Sequence, residues 1–245
     1  MSTTIRTLEA IWAAAAAATI GFLTGLGLSE LGIGDTITTV TLAASAGING
    51  LFGGIRQVYK WRSVPGWFAF VADSSWALIS TTLGNILNVA NLFWPDSEYR
   101  ADFSKRRNRH VFRGGFALKP GFANTQGCVI SNAGKRKDEP LENQRDFIEN
   151  HEGLHVWQQR WFGPLYPLGY LVWAVIGLVV AIGYWVFSPR RRAAKTRLGR
   201  LVETAAYYDN PFEYWAYKND DHWETNSAEP ALKWRRLKRA GAQKT

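Results

Sequence analysis

The chain has 245 residues, 47% apolar and 14% aromatic, with 12 Trp and only 20% charged; such a Trp excess is unusual in a soluble domain and suits a protein lying against lipid, where Trp and Tyr gather at the interface. The net charge of +9 is gathered in four clusters, at 56–62, 105–113, 190–200 and 233–244, each beside an apolar segment or at the terminus, which favours lipid headgroups over nucleic acid as the partner. The one cysteine, Cys128, excludes an internal disulfide, and with no His or Asn beside it in sequence it reads as a packed, inert thiol.

In chain order, residues 8–28, "LEAIWAAAAAATIGFLTGLGL", carry a single charge at the edge, Glu9, and are long enough to cross a bilayer. Residues 36–55, "TITTVTLAASAGINGLFGGI", are rich in the small residues that let two helices approach closely in lipid. Together they predict a transmembrane helical hairpin with "SELGIGD" as its turn. The turn holds Glu30 and Asp35 but no Lys or Arg, and "RQVYKWR" comes directly after the second helix, so the positive-inside rule puts the turn outside and residue 56 onward in the cytoplasm.

Residues 65–94 are apolar at helical spacing but interrupted by Asp73, Asn85, Asn88 and Asn91. The three Asn fall three apart and line one face, which predicts an interfacial or partly buried helix. Beyond them, "HVFRGGFAL" (110–118) and "GCVIS" (127–131), with the turn-rich "KPGFANTQ" between, predict a β-hairpin or small sheet. "KDEP" at 137–140 signals a helix start and "GP" at 163–164 its end.

Within that helix stands "NHEGLHVWQQRWF". The spacing H-E-x-x-H puts His151 and His155 one turn apart on one face, able to chelate a single ion, with Glu152 beside them as a base that does not ligate the metal. The segment "HEGLHVWQQ" resembles the active-site helix of the zincin metallopeptidases, and "NPFEYWAY" at 210–217 resembles the later glutamate-bearing helix of their gluzincin branch. The resemblance covers about 30 residues in two pieces and implies Zn2+ held by His151, His155 and Glu213, with Glu152 as general base for zinc-activated water. It also implies a strand near the helix that holds an extended peptide, for which "GCVIS" is the candidate. Glu203 and His222 stand as alternative third ligands. His110 sits among arginines that disfavour a bound cation, and Tyr207, Tyr208 and Tyr217 read as packing or interface residues.

One apolar run separates the two pieces. Residues 165–187, as one straight helix, would rise roughly 35 Å and cross a bilayer, which parts His151 from Glu213 unless the chain comes back. A return through 188–212 would carry Arg190, Arg191, Arg192, Lys195, Arg197 and Arg200 through hydrocarbon at about 2.5–3.5 kcal/mol per central charge. So either 165–187 stays on one side, as a hairpin broken near Gly177 or as a helix lying in the interface, or the third ligand is not Glu213.

The expected architecture is thus a mostly α membrane protein. Residues 1–62 form the transmembrane helical hairpin, 63–225 a membrane-apposed α+β zincin-like domain with a small β-hairpin or sheet, and 226–245 a basic tail. The expected function is a membrane-anchored zinc metallopeptidase, with the plasma membrane as its site, the catalytic domain on the cytoplasmic face, a peptide or protein near the membrane as substrate, the lipid bilayer as partner and no nucleic acid. A membrane-associated scaffold or binding protein with a structural or relict metal site is the competing reading.

Overall fold

The structure is a computed structural model that describes residues 3–119, 121–134, 141–189 and 195–221. It is mostly helical with one small mixed sheet. Contacts divide it into a unit ending at Tyr166 and a second beginning at Pro167. The expected boundary near residue 62 does not part the first unit, because the N-terminal helices pack onto the helices beyond that residue.

In the first unit, helices α1 (Thr3–Glu30) and α2 (Thr36–Ile55) form the expected helical pair. The turn between them is closed by Asp35, which accepts from the Thr38 amide at 2.8 Å and caps α2. Small residues bring the two backbones together: a Cβ on Gly50 would fall 2.3 Å from the Ala13 carbonyl oxygen, and one on Gly54 2.4 Å from Ala10 Cα. Glu9 ties the start of α1 to the rest of the unit, accepting from Trp61 Nε1 at 2.7 Å and pairing with Arg106.

The stretch expected as one helix over 65–94 is two, α3 (Val64–Ser74) and α4 (Leu78–Phe93). Ser63 caps the first, and the chain leaves helical geometry at Ser75. The Asn face of α4 forms as expected and is buried in protein. Asn85 donates to the Ser45 carbonyl at 2.8 Å, Asn88 accepts from Arg56 at 2.7 Å, and Asn91 accepts from the Phe116 amide at 2.8 Å and from Ser131 at 2.9 Å.

Strands β1 (Glu98–Tyr99), β2 (His110–Arg113), β3 (Asn124–Gln126) and β4 (Val129–Ala133) lie in the order β1-β2-β4-β3, with a one-turn helix α5 (Ala101–Ser104) after β1. The two apolar strands foreseen at 110–118 and 127–131 are neighbours, but parallel ones, and so not a hairpin. The hairpin partner of β4 is β3, which lies inside the segment expected to be a turn. Its sequence, Asn-Thr-Gln, has no alternation of apolar residues, so nothing local marks it as a strand. Phe103, Val111, Phe112, Ile130, Leu141 and Ile148 fill the core beneath the sheet.

A buried polar network locks α2, α3 and the later site helix. Arg160 donates to Asp73 through Nε at 2.9 Å and Nη2 at 2.8 Å, and Nη2 also reaches the Asn108 carbonyl. Tyr59 Oη donates to the same carboxylate at 2.9 Å and accepts from Asn49 at 2.7 Å. The Cys128 thiol donates to Asn49 at 3.4 Å. Burial pushes that thiol far above its ordinary range, which fits an inert packed residue.

The second unit is built on α7 (Leu165–Phe187), one unbroken helix. The break foreseen at Gly177 is absent. Instead α8 (Leu198–Val202), a π-helical turn at 203–208 and α9 (Pro211–Asn219) run back antiparallel along α7. Leu201 and Ala205 pack on Ala181, Trp173 Nε1 donates to the Ala205 carbonyl at 3.0 Å, and Tyr170 Oη donates to Glu213 Oε1 at 3.1 Å. Gly177 serves that close approach: a Cβ there would lie 2.5 Å from the Ala205 oxygen. Among the described residues two helices, α1 and α7, are long and apolar enough to cross a membrane, with mean hydropathy 1.7 and 2.2 over an 18-residue stretch; α4 is apolar but shorter.

Candidate metal centre

The site helix runs from Leu141 to Phe162 and ends at Gly163, whose φ of +50° no β-carbon-bearing residue adopts easily. The part of the expected start that falls at 137–140 lies outside the described residues. The helix is not uniform. A 3-10 turn at Leu141–Gln144 leads into a π-helical turn at Phe147–Glu152, and α6 (Gly153–Phe162) comes next. The π-helical turn is made by the Gly153 amide donating to the Ile148 carbonyl five residues back. Gly153 has a second reason to lack a side chain: its Cβ would stand 2.9 Å from Arg109 Nη1. Arg109 pairs there with Glu149 at 2.7 Å, and Arg107 holds the other carboxylate oxygen at 2.5 Å.

His151 and Glu152 close the π-helical turn and His155 opens the first turn of α6. All three are buried. The two imidazoles stand nearly edge to face, centroids 5.0 Å apart at 80°, with Phe147 stacked on His151 at 4.9 Å. One ring nitrogen from each lies within 4.8 Å of the other, close enough for both to reach one ion at about 2 Å each after a small side-chain rotation.

His155 is oriented from behind. Its Nδ1 lies 2.8 Å from Gln158 Oε1, one turn on, and 3.5 Å from Tyr166 Oη. An Nδ1–H donated to the Gln158 oxygen leaves the lone pair on Nε2, the tautomer a metal ligand requires.

Glu152 Oε2 accepts from Thr125 Oγ1 at 2.5 Å. Gln159 fastens the same strand, accepting from the Gly127 amide at 2.7 Å and reaching the Thr125 carbonyl at 3.5 Å. The strand beside the site helix is therefore β3, at the outer edge of the sheet. This corrects the assignment to "GCVIS". Its residues 129–131 lie in β4, which is paired on both sides, by β2 and by β3, and has no edge left for a peptide.

In the second unit, Glu213 is buried in the first turn of α9, whose N-cap Asn210 accepts from the Phe212 amide at 3.0 Å. Glu203 opens the π-helical turn at 203–208, half-buried, directly after Val202, which packs near Ala181; it precedes Glu213 by ten residues in the sequence. His222 lies outside the described residues. Tyr208 meets Tyr207 edge to face at 5.0 Å and Tyr217 at a tilt at 5.9 Å. His110 is enclosed beside Arg56, and burial together with that guanidinium pushes its imidazole well below the usual range.

Thr125, Gln158, Gln159, Tyr166 and Tyr170 were not foreseen. Gln158 was legible in principle, at i+3 from His155. Thr125 is 27 residues from Glu152 and is delivered only by the sheet. Comparison with protein-family models, curated proteins and solved structures finds no match to this chain.

Proposed function

We propose that the chain is a membrane-anchored zinc metallopeptidase, with zinc held by His151, His155 and Glu213 and Glu152 as general base. The observation that carries this reading is the site helix itself: two buried imidazoles 5.0 Å apart, one of them held by Gln158, and on the same helix a buried carboxylate fixed by the outer strand. A donor set of two imidazole nitrogens and one carboxylate oxygen is three protein ligands, the number of a catalytic zinc site rather than of a closed structural one.

Support for Glu213 comes from α7. Within the second unit Glu213 is buried and accepts from Tyr170 Oη at 3.1 Å, so it is an oriented carboxylate of the kind a metal ligand is.

Zinc bound there would supply Lewis acidity toward water and the scissile carbonyl. Glu152, held by Thr125, takes a proton from water and passes it to the leaving amine. The outer strand β3 offers its backbone to an extended peptide. The apolar lengths of α1 and α7 support membrane anchoring, and the distribution of basic clusters supports a cytoplasmic site.

The test is zinc content per chain for detergent-purified wild type, His155→Ala and Glu213→Ala. About one zinc in the wild type, lost from both variants, is expected. Zinc retained by Glu213→Ala would remove Glu213 from the ligand set, and none in replete wild type would overturn the metal reading.

A further inference from the structure

The outer wall of the first unit has its polarity reversed. On α4 the buried face is Ser80, Thr81, Asn85, Asn88 and Asn91, with Asn88 at 0% exposure. The exposed face is Ile79, Leu83, Ile86, Val89 and Phe93, with Ile86 at 62% and Phe93 at 81%. The exposed positions fall at i, i+4, i+7, i+10 and i+14, a continuous helical stripe. A helix facing water sorts its residues the other way; one facing hydrocarbon must hide its amides in protein and show aliphatic side chains.

Helix α3 repeats the pattern. Val64, Trp67, Phe68 and Val71 are exposed at i, i+3, i+4 and i+7, while Asp73 is buried on Arg160. The surface continues onto the site helix, where Trp161 lies 4.9 Å from Phe68 and its carbonyl accepts from Trp76 Nε1 at 3.2 Å. From 60 to 94 the only charged residues are Lys60, Arg62 and Asp73. With Asp73 buried, the exposed charges are both basic, and they stand at the start of α3 near Trp67. That is the composition of a headgroup layer above hydrocarbon, and it complements anionic lipid.

We propose that the α3–α4 face docks on an anionic bilayer, with α4 against the acyl chains and Lys60 and Arg62 among the headgroups. The inference rests on the membrane-anchored hydrolase reading and deepens it. The protein side of α4 meets β3, where a Cβ on Gly84 would lie 2.7 Å from the Gln126 carbonyl oxygen, and Thr125 of β3 holds Glu152. One helix, about 10 Å across, and the strand β3 separate lipid from the hydrolytic carboxylate. The substrate class that fits is a peptide segment lying at the membrane surface rather than a freely diffusing protein.

The test uses nitroxide labels on the full chain in a Cys128→Ser background, at Val71→Cys, Ile86→Cys and, as the aqueous control, Asp102→Cys. The protein is reconstituted in phosphatidylcholine vesicles with and without phosphatidylglycerol. Collisions with oxygen over those with a water-soluble nickel chelate should be several-fold higher at Val71→Cys and Ile86→Cys than at Asp102→Cys. Adding Lys60→Glu and Arg62→Glu should lower the Val71→Cys ratio in the anionic vesicles. Aqueous accessibility at Val71→Cys and Ile86→Cys would overturn the proposal. So would dipolar broadening that disappears on dilution with unlabelled protein, which would assign the face to a second copy. Zinc content of the same samples reads the metal site separately, so loss of one does not imply loss of the other.

Discussion

Gln158 stands behind His155, its Oε1 2.8 Å from Nδ1, where it favours the tautomer with a lone pair on Nε2 that the proposed metal site requires. Replacing it with Ala removes the 2.8 Å contact to Nδ1 and leaves the tautomer free, so zinc affinity should fall by about 10–100-fold. Competition with a chromophoric chelator measures this, and Gln158→Glu, which still accepts from Nδ1–H, should restore most of it. Unchanged affinity in the Ala variant would show that His155 is oriented by something else. Glu152→Gln tests the other half of the site: the metal should stay at about one per chain while peptide hydrolysis falls by at least about 100-fold. Retained hydrolysis would remove Glu152 from the proton transfer. At this scale the sequence was most legible, because H-E-x-x-H is local geometry within one helix. The group that fixes Glu152 was not, since Thr125 arrives through the register of β3 on β4, which no spacing encodes.

Elements were legible where one physical signal dominated. The N-terminal helical pair was marked by its small residues, and the buried face of α4 by Asn at every third position. The strand pairing was not marked, because a hairpin and a parallel pair make the same apolar pattern in their two strands and differ only in the path between them. Gly177 misled for a related reason: glycine marks a break and a close helix–helix approach alike, and α7 uses it for the second. Gly177→Leu should therefore drive the Ala205 backbone off α7, costing about 1–3 kcal/mol and lowering zinc occupancy by displacing Glu213. Thermal unfolding and zinc content together check this; a stable, fully loaded variant would contradict the packing. The Asp73–Arg160 pair was equally invisible, being 87 residues apart. Arg160→Met alone leaves a buried, unpaired carboxylate and should cost about 3–5 kcal/mol, whereas the double variant with Asp73→Leu should recover much of it.

For the whole molecule, the question is what α7 does with a mean hydropathy of 2.2. The antiparallel pairing of 198–213 along α7 puts Glu213 beside Tyr170, toward its start, and Leu201 beside Ala181, toward its end. Crossing would carry the returning arm through lipid, with Glu203 and Asp209 on it, and would export Arg190, Arg191 and Arg192, each against a cost of about 2.5–3.5 kcal/mol per central charge or the usual orientation bias. A helix lying in the interface with its partner arm meets neither cost and keeps the basic clusters on one side. Ser188→Cys in a Cys128→Ser background should then resist a membrane-impermeant maleimide in intact cells and react after lysis, whereas Ile33→Cys, in the turn between α1 and α2, should react in both. Labelling of Ser188→Cys in intact cells would mean that α7 crosses. The same-side arrangement would then be overturned.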